Sequence, residues 1–151
     1  MEISLTYDML GNRLRAIGGV GIEYDRLGSR ASRLGDQPLS YDRLGNRLRA
    51  IGDVRLKYDR LGTRPRTLGS WQLTYDRLGN RLKQMGPYEL TYDGFGTRVR
   101  TIGPLSISYD RLGVRPARLS LPDAMPELPA DLVLAVFAVL YLADLDAGNG
   151  G

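Results

Sequence analysis

The stretch YDRLGNRLRAIGDVRLKYDRLG, residues 41–62, contains one full period of a repeat that sets the architecture of this chain. Tyrosine followed by aspartate recurs every 17 residues, seven times in all, from Tyr7-Asp8 to Tyr109-Asp110. A glycine and an arginine follow each pair at fixed distances, without insertion or deletion between repeats. A fixed period of this kind indicates that one supersecondary unit is used again and again.

Within each repeat the first half alternates strictly between apolar and polar residues, as in Ile3, Leu5 and Tyr7. A period of two with β-prone residues indicates a strand. The Asp-x-x-Gly that follows fits a type I turn with a left-handed glycine, which gives a three-residue hairpin loop with a bulge. The second half returns as a short strand and ends at glycine plus one residue, a two-residue return turn. The sequence therefore predicts an all-β antiparallel meander of seven hairpins, about 14 short strands, over residues 1–119.

The two turns also predict which side chains meet. If Asp8 opposes Asn12 across the first turn, then Tyr7 opposes Arg13, and the return turn places Arg13 beside Tyr24. Arginine and tyrosine would then alternate across the sheet, where stacking and cation–π contact stabilise them. The candidate structural or ligand-binding residues are these rows: Tyr7, Arg13, Tyr24, Arg30, Tyr41, Arg47, Tyr58, Arg64, Tyr75, Arg81, Tyr92, Arg98, Tyr109 and Arg115.

A β-solenoid capped by a C-terminal helix is the alternative fold, because solenoids also have repeats of constant length. It would stack seven like-charged arginines about 4.8 Å apart, which the alternation with tyrosine avoids. Pro65 falls within a predicted central strand and Pro116 within the last one, and proline removes a ladder hydrogen bond there. We favour the meander, although these prolines do not fit it well.

The C-terminal part differs in composition from the repeats. Residues 1–119 have a net charge of +9, and residues 120–151 have five acidic residues and no basic one. Residues 120–130 contain three prolines and form a predicted connector. A hydrophobic helix is predicted over 131–146, followed by a flexible terminus over 147–151. Two segments of opposite charge most simply bind each other, so we expect acids of the tail near the arginines.

The core of this helix, Leu132 to Ala143, is apolar on every side and must therefore be buried on every side. Its length of about 18 Å is well short of the ~30 Å of a bilayer core, so we expect no membrane span. It matches the ~17–20 Å of the strands, which favours a sheet that curls into a barrel or shell around the helix. The alternative is that the helix packs against a helix of another subunit.

In the curled sheet, the inward-facing residues would be Leu5, Ile22, Leu39, Leu56, Leu73, Leu90, Ile107, Ile17, Ile51, Leu68, Met85 and Ile102. The same register turns a second cationic row inward, namely Arg15, Arg49, Arg66, Lys83 and Arg100. Isolated buried charges are very costly, so these side chains would have to reach a rim or pair with acids such as Asp131, Asp144 or Asp146.

The motifs resemble a known family. YDRLGNRL at 41–48 and 75–82, LTYD at 5–8, 73–76 and 90–93, and the Tyr-Asp-x-x-Gly-x-Arg core are similar to the YD repeats of RHS and teneurin-type proteins. The resemblance covers residues 3–119. It implies strand–turn–strand units of a long antiparallel sheet that curls into a hollow shell, often around a C-terminal segment.

The chemistry available to the chain is restricted. Histidine and cysteine are absent, which excludes disulfides, His or Cys metal sites and thiol nucleophiles. An active site usually needs one asymmetric constellation, whereas the aspartates and arginines recur in seven equivalent places. We therefore expect no catalytic residue, no cofactor and no metal.

The sequence favours a non-enzymatic structural or interaction protein, with itself as a partner if open strand edges pair into filaments. The alternative is a binding module for an anionic polymer, nucleic acid or polysaccharide, held by the arginine and tyrosine rows. Met1 leads almost directly into the first strand without a signal segment, so a cytoplasmic location is expected.

Overall fold

The computed structural model describes residues 1–8, 13–25, 30–42, 47–59, 64–76, 81–93, 98–110 and 115–150, with side chains up to residue 142. The strands are β1 (Glu2–Tyr7), β2 (Leu14–Ile17), β3 (Val20–Tyr24), β4 (Ala31–Leu34), β5 (Gln37–Tyr41), β6 (Leu48–Ile51), β7 (Val54–Tyr58), β8 (Pro65–Leu68), β9 (Trp71–Tyr75), β10 (Leu82–Met85), β11 (Tyr88–Tyr92), β12 (Val99–Ile102), β13 (Leu105–Tyr109) and β14 (Pro116–Ser120). One helix follows, α1 (Ala130–Gly150).

The fourteen strands form a closed barrel in which each strand pairs with its neighbours in the chain. All pairings are antiparallel, so the predicted meander is confirmed and the parallel stacking of a solenoid is excluded. The barrel closes where β1 pairs with β14, with Ile3 opposite Leu119. Because the two outermost strands pair with each other, the edge-to-edge polymerisation expected of an open sheet has no free edge to use.

The register inside each hairpin differs from the prediction. Tyr7 lies opposite Leu14 and Leu5 opposite Ile17, so the predicted pair of Tyr7 with Arg13 was wrong. The Asp8 N–H donates to the carbonyl oxygen of Arg13 at 3.0 Å, which closes the loop one residue later than expected. The intervening turn, residues 9–12, lies outside the described residues.

A register shift opposite Thr6 and Tyr7 leaves Arg15 as the extra, bulged residue of β2. As a result Leu14 and Ile17 both face the interior, while the Arg15 side chain is 64% exposed. The prediction that a second cationic row faces inward was therefore wrong. The outer cations, as we call that row, lie on the outside: Arg15, Arg49, Arg66, Lys83 and Arg100.

The bulge also explains the two prolines. Pro65 and Pro116 begin β8 and β14, at the position that Leu14 has in the first repeat. In the second repeat this position is Ala31, whose N–H donates to the Tyr141 hydroxyl at 2.8 Å instead of to a strand. A position whose N–H is not needed by the ladder accepts proline, so neither residue interrupts the sheet.

The return turns contain two residues, as predicted, with Ile17 opposite Val20. Their glycines have positive φ values between 54° and 61°, and the residues after them do not, which is the pattern of a type II′ turn. A side chain at Gly86 would also collide with the indole of Trp71, since an added Cβ would lie 2.4 Å from Cγ. Glycine is therefore required at this point for two reasons.

The helix lies inside the barrel. Its buried residues are Leu132, Val133, Ala135, Val136, Phe137, Ala138 and Tyr141. With 3.6 residues per turn, these positions point in every direction around the axis. They form one core with the inward rows of the strands, so the helix packs within its own chain rather than against a second subunit. It begins at Ala130 and ends at Gly150, four residues beyond the end predicted at residue 146, because extending a formed helix is easy compared with starting one.

One repeat differs from the others where the helix contacts it. Four of the seven residues in the inner row beside the bulge are leucine or valine, but the second repeat has Ala31. Tyr141 occupies the space that this alanine leaves, which we call the Ala31 notch. Its hydroxyl lies 2.6 Å from that of Tyr41. The phenol also stacks on Phe137, with ring centroids 4.9 Å apart. Ala31 and Tyr141 thus select one of seven nearly equivalent rotational settings for the helix.

Replacing Ala31 with leucine should lower the free energy of unfolding by about 1–3 kcal/mol, because the larger side chain fills the space of Tyr141. The control is Ala50→Leu, at a half-buried position on β6 opposite Arg55 of β7, and it should change stability far less. Urea denaturation of both variants measures the difference. An Ala31→Leu protein as stable as the parent would contradict the role of this notch.

Candidate functional site

The predicted tyrosine and arginine rows meet at every boundary between repeats. Each repeat arginine places its guanidinium over the ring of the next repeat's tyrosine, at 4.2–4.8 Å from the ring centroid. Arg13 covers Tyr24 in this way, and Arg115 covers Tyr7 where the barrel closes. All fourteen candidate residues therefore belong to one ring of seven contacts, which we call the boundary ring.

The tyrosine hydroxyls complete the backbone pairing between repeats. The ladder from β2 to β3 contains the pairs Ile17–Val20 and Ala16–Gly21, and the carbonyl of Leu14 lies beyond them. The Tyr24 hydroxyl donates to that carbonyl at 2.6 Å. The same bond recurs at each boundary, at 2.5–2.8 Å, up to that of Tyr7 with Pro116. A hydroxyl thus satisfies a backbone group that the bulged strand turns away from its neighbour.

Each repeat arginine also pairs with the aspartate of its own repeat. The Nε of Arg81 lies 2.7 Å from Asp76 Oδ2, and that of Arg30 lies 3.0 Å from Asp25 Oδ2. The remaining pairs are Arg13 with Asp8, Arg47 with Asp42, Arg64 with Asp59, Arg98 with Asp93 and Arg115 with Asp110. We expected these aspartates to serve as turn residues and did not predict the ion pairs, although the constant spacing of aspartate and arginine was a signal for them.

Burial changes the acidity of the ring tyrosines. It raises the pKa of Tyr58 and of Tyr92 to about 12, while the charge of the covering arginine acts in the opposite direction. The pKa values of Tyr41 and Tyr75 are also raised, again mainly by burial. The hydroxyls of these four tyrosines are therefore protonated donors throughout the neutral range.

The acids predicted to approach the arginines from the tail lie elsewhere or outside the description. Asp131, at the start of the helix, accepts a hydrogen bond from the Tyr88 hydroxyl at 2.6 Å. The side chains of Asp144 and Asp146 are not among those described. The seven repeat arginines are instead paired with the aspartates of their own repeats.

Two further findings concern the described residues alone. They contain no group of three or more acidic side chains placed to hold a metal ion. Their helix is not long and apolar enough to cross a membrane. Comparison with protein-family models, with curated proteins and with solved structures gave no match.

Removing the arginine at two separate boundaries should destabilise the barrel. Arg47→Ala and Arg81→Ala each remove a cation–π contact and a partly exposed ion pair, together about 1–2 kcal/mol. Two strands, β8 and β9, separate the two boundaries, so the losses should add in the double variant. Arg55→Ala, an exposed arginine on the outer wall, is the matched control. Losses no larger than the control's would show that the boundary ring does not stabilise the fold.

High pH should unfold the protein through the ring tyrosines. A pKa of about 12 for Tyr58 in the folded state, against 10.0 ordinarily, means that the folded form holds the proton more tightly. This contribution is complete below about pH 10 and disappears as the pH rises through 12. Circular dichroism during an alkaline titration measures it, and Tyr58→Phe should make the loss less steep. Stability that is level between pH 10 and 12 would refute this account.

Proposed function

We propose that this chain is a non-enzymatic structural protein, a barrel that closes on itself around its own helix and presents its outer wall to partners. One observation carries the proposal: every repeat arginine and tyrosine already has partners within the barrel. Seven equal contacts of this kind serve architecture, whereas catalysis needs one asymmetric site. The resemblance to YD-repeat shells, whose sheet also curls around a C-terminal segment, agrees with this function.

The distribution of side chains supports the same proposal. Among the described residues, no charged side chain is buried, and the core is a continuous apolar cluster of strand and helix residues. The helix of the same chain thus fills the barrel, and the interior as described is occupied by Phe137 and its neighbours. Function is therefore left to the outer surface.

The boundary ring is a poor site for an anionic polymer, the other function that the sequence suggested. Arg47 has the Asp42 carboxylate at 2.5 Å and the Tyr58 ring at 4.6 Å. A phosphate would have to displace the carboxylate, and a base would have to displace the guanidinium from the ring. The hydroxyl of Tyr58 is also engaged, at 2.6 Å from the Leu48 carbonyl.

Deleting residues 122–151 tests whether the repeats need the helix as a core in order to fold as a soluble monomer. The cut leaves Leu121, whose N–H donates to the Met1 carbonyl at 2.8 Å and helps to close the barrel. The shortened protein should associate or precipitate, because the inward leucines and isoleucines lose their cover. Light scattering after size-exclusion chromatography gives the mass.

Two point variants of the full chain complete this experiment. Phe137→Asp places a charge in the core and should lower stability severely, whereas Asp123→Ala on the exposed connector should be neutral. A shortened protein with the mass and melting temperature of a folded monomer would overturn the proposal.

A further inference from the structure

The outer wall of the barrel has an uneven distribution of charge. Four exposed cations lie together on three adjacent strands: Arg49 on β6, Arg55 and Lys57 on β7, and Arg66 on β8. We call this group the basic wall. On β10, by contrast, the exposed Lys83 adjoins β11 with its exposed Glu89.

The pairing of the strands brings these four residues together. Arg55 lies opposite Ala50, which follows the bulged Arg49 in the chain. Lys57 lies opposite Thr67, which follows the bulged Arg66. With strands ~4.8 Å apart and alternate residues about 7 Å apart, the four cations cover a patch roughly 10 Å wide.

Nearby acids reduce this charge without cancelling it. Asp42 and Asp59 reach Arg49 and Arg66 at 3.8 and 3.9 Å, but their main partners are the repeat arginines Arg47 and Arg64. The side chains of Arg49 and Arg66 remain 55% and 68% exposed. The neighbouring outward positions on β5 and β9 are the neutral Ser40, Gln72 and Thr74.

We propose that the basic wall binds the phosphate backbone of nucleic acid without reading its sequence. Guanidinium forks match phosphate oxygens, and duplex DNA presents one charge per about 1.7 Å of its axis, so all four cations can contact phosphates at once. The nearby Tyr58 ring is covered by Arg47, so stacking on bases is not available. This site is distinct from the boundary ring and does not depend on the barrel's structural function.

The same observations favour nucleic acid over a lipid surface. Met1 is the exposed large apolar side chain found among the described residues, and it precedes β1, far in strand order from β6–β8. A membrane-bound surface normally adds apolar anchors to its charges, and the basic wall has none within the description.

The experiment uses a fluorescent DNA duplex of mixed sequence and measures anisotropy over a range of salt concentrations. With four phosphate contacts, the logarithm of the binding constant should fall with that of the salt concentration at a slope of about −3.6. The test variant changes Arg49, Arg55, Lys57 and Arg66 to glutamine. It should weaken binding at low salt at least tenfold and reduce the slope.

The matched control changes Arg15, Lys83, Arg100 and Arg118 to glutamine. Like the test variant, it removes three arginines and one lysine, so both variants have the same net charge. Circular dichroism verifies that both are folded. Retained binding by the control supports the proposal. Equal losses in both variants, absence of binding to the parent at low salt, or binding to phosphatidylserine vesicles in preference to DNA would each overturn it.

Discussion

The bulge at the start of the second strand of each hairpin is the constraint on which the rest of this structure depends. It turns two residues separated by three positions, such as Leu14 and Ile17, toward the interior, and it turns the intervening Arg15 toward solvent. It also places a backbone carbonyl beyond the inter-repeat ladder, where a tyrosine hydroxyl donates a hydrogen bond to it. Without the bulge a strictly alternating strand would bury a ring of positive charge.

Closure follows from the same local rule applied seven times. The contact between the first and last strands uses the register and side chains of the other boundaries, with Arg115 over Tyr7 in the place of Arg13 over Tyr24. No special closing motif is needed, because seven similar units that each turn by about one seventh of a circle return to their starting point. Symmetry of this kind leaves the rotation of the helix undefined, and the Ala31 notch supplies the missing asymmetry.

The sequence was sufficient for the features that periodicity controls. Strand alternation, antiparallel order, the two-residue return turns and the apolar helix within the sheet all follow from spacing and composition. The hairpin register did not follow, because a single bulged residue shifts pairing by an amount that a hydrophobic pattern tolerates. Pro65 was a clue: a proline that seems to interrupt a central strand marks a position outside the ladder. The Asp–Arg pairs were missed because the aspartate was interpreted as a turn residue.

The position of the helix in the chain has a consequence for biosynthesis. The ribosome produces all fourteen strands before α1, yet the helix occupies their centre. The inward-facing apolar side chains of the nascent repeats therefore stay uncovered for an interval. The pairing of β1 with β14, which are separated by more than a hundred residues, is the slowest contact to form. During that interval the barrel has no core helix, so the need for chaperones should depend on how fast translation completes α1.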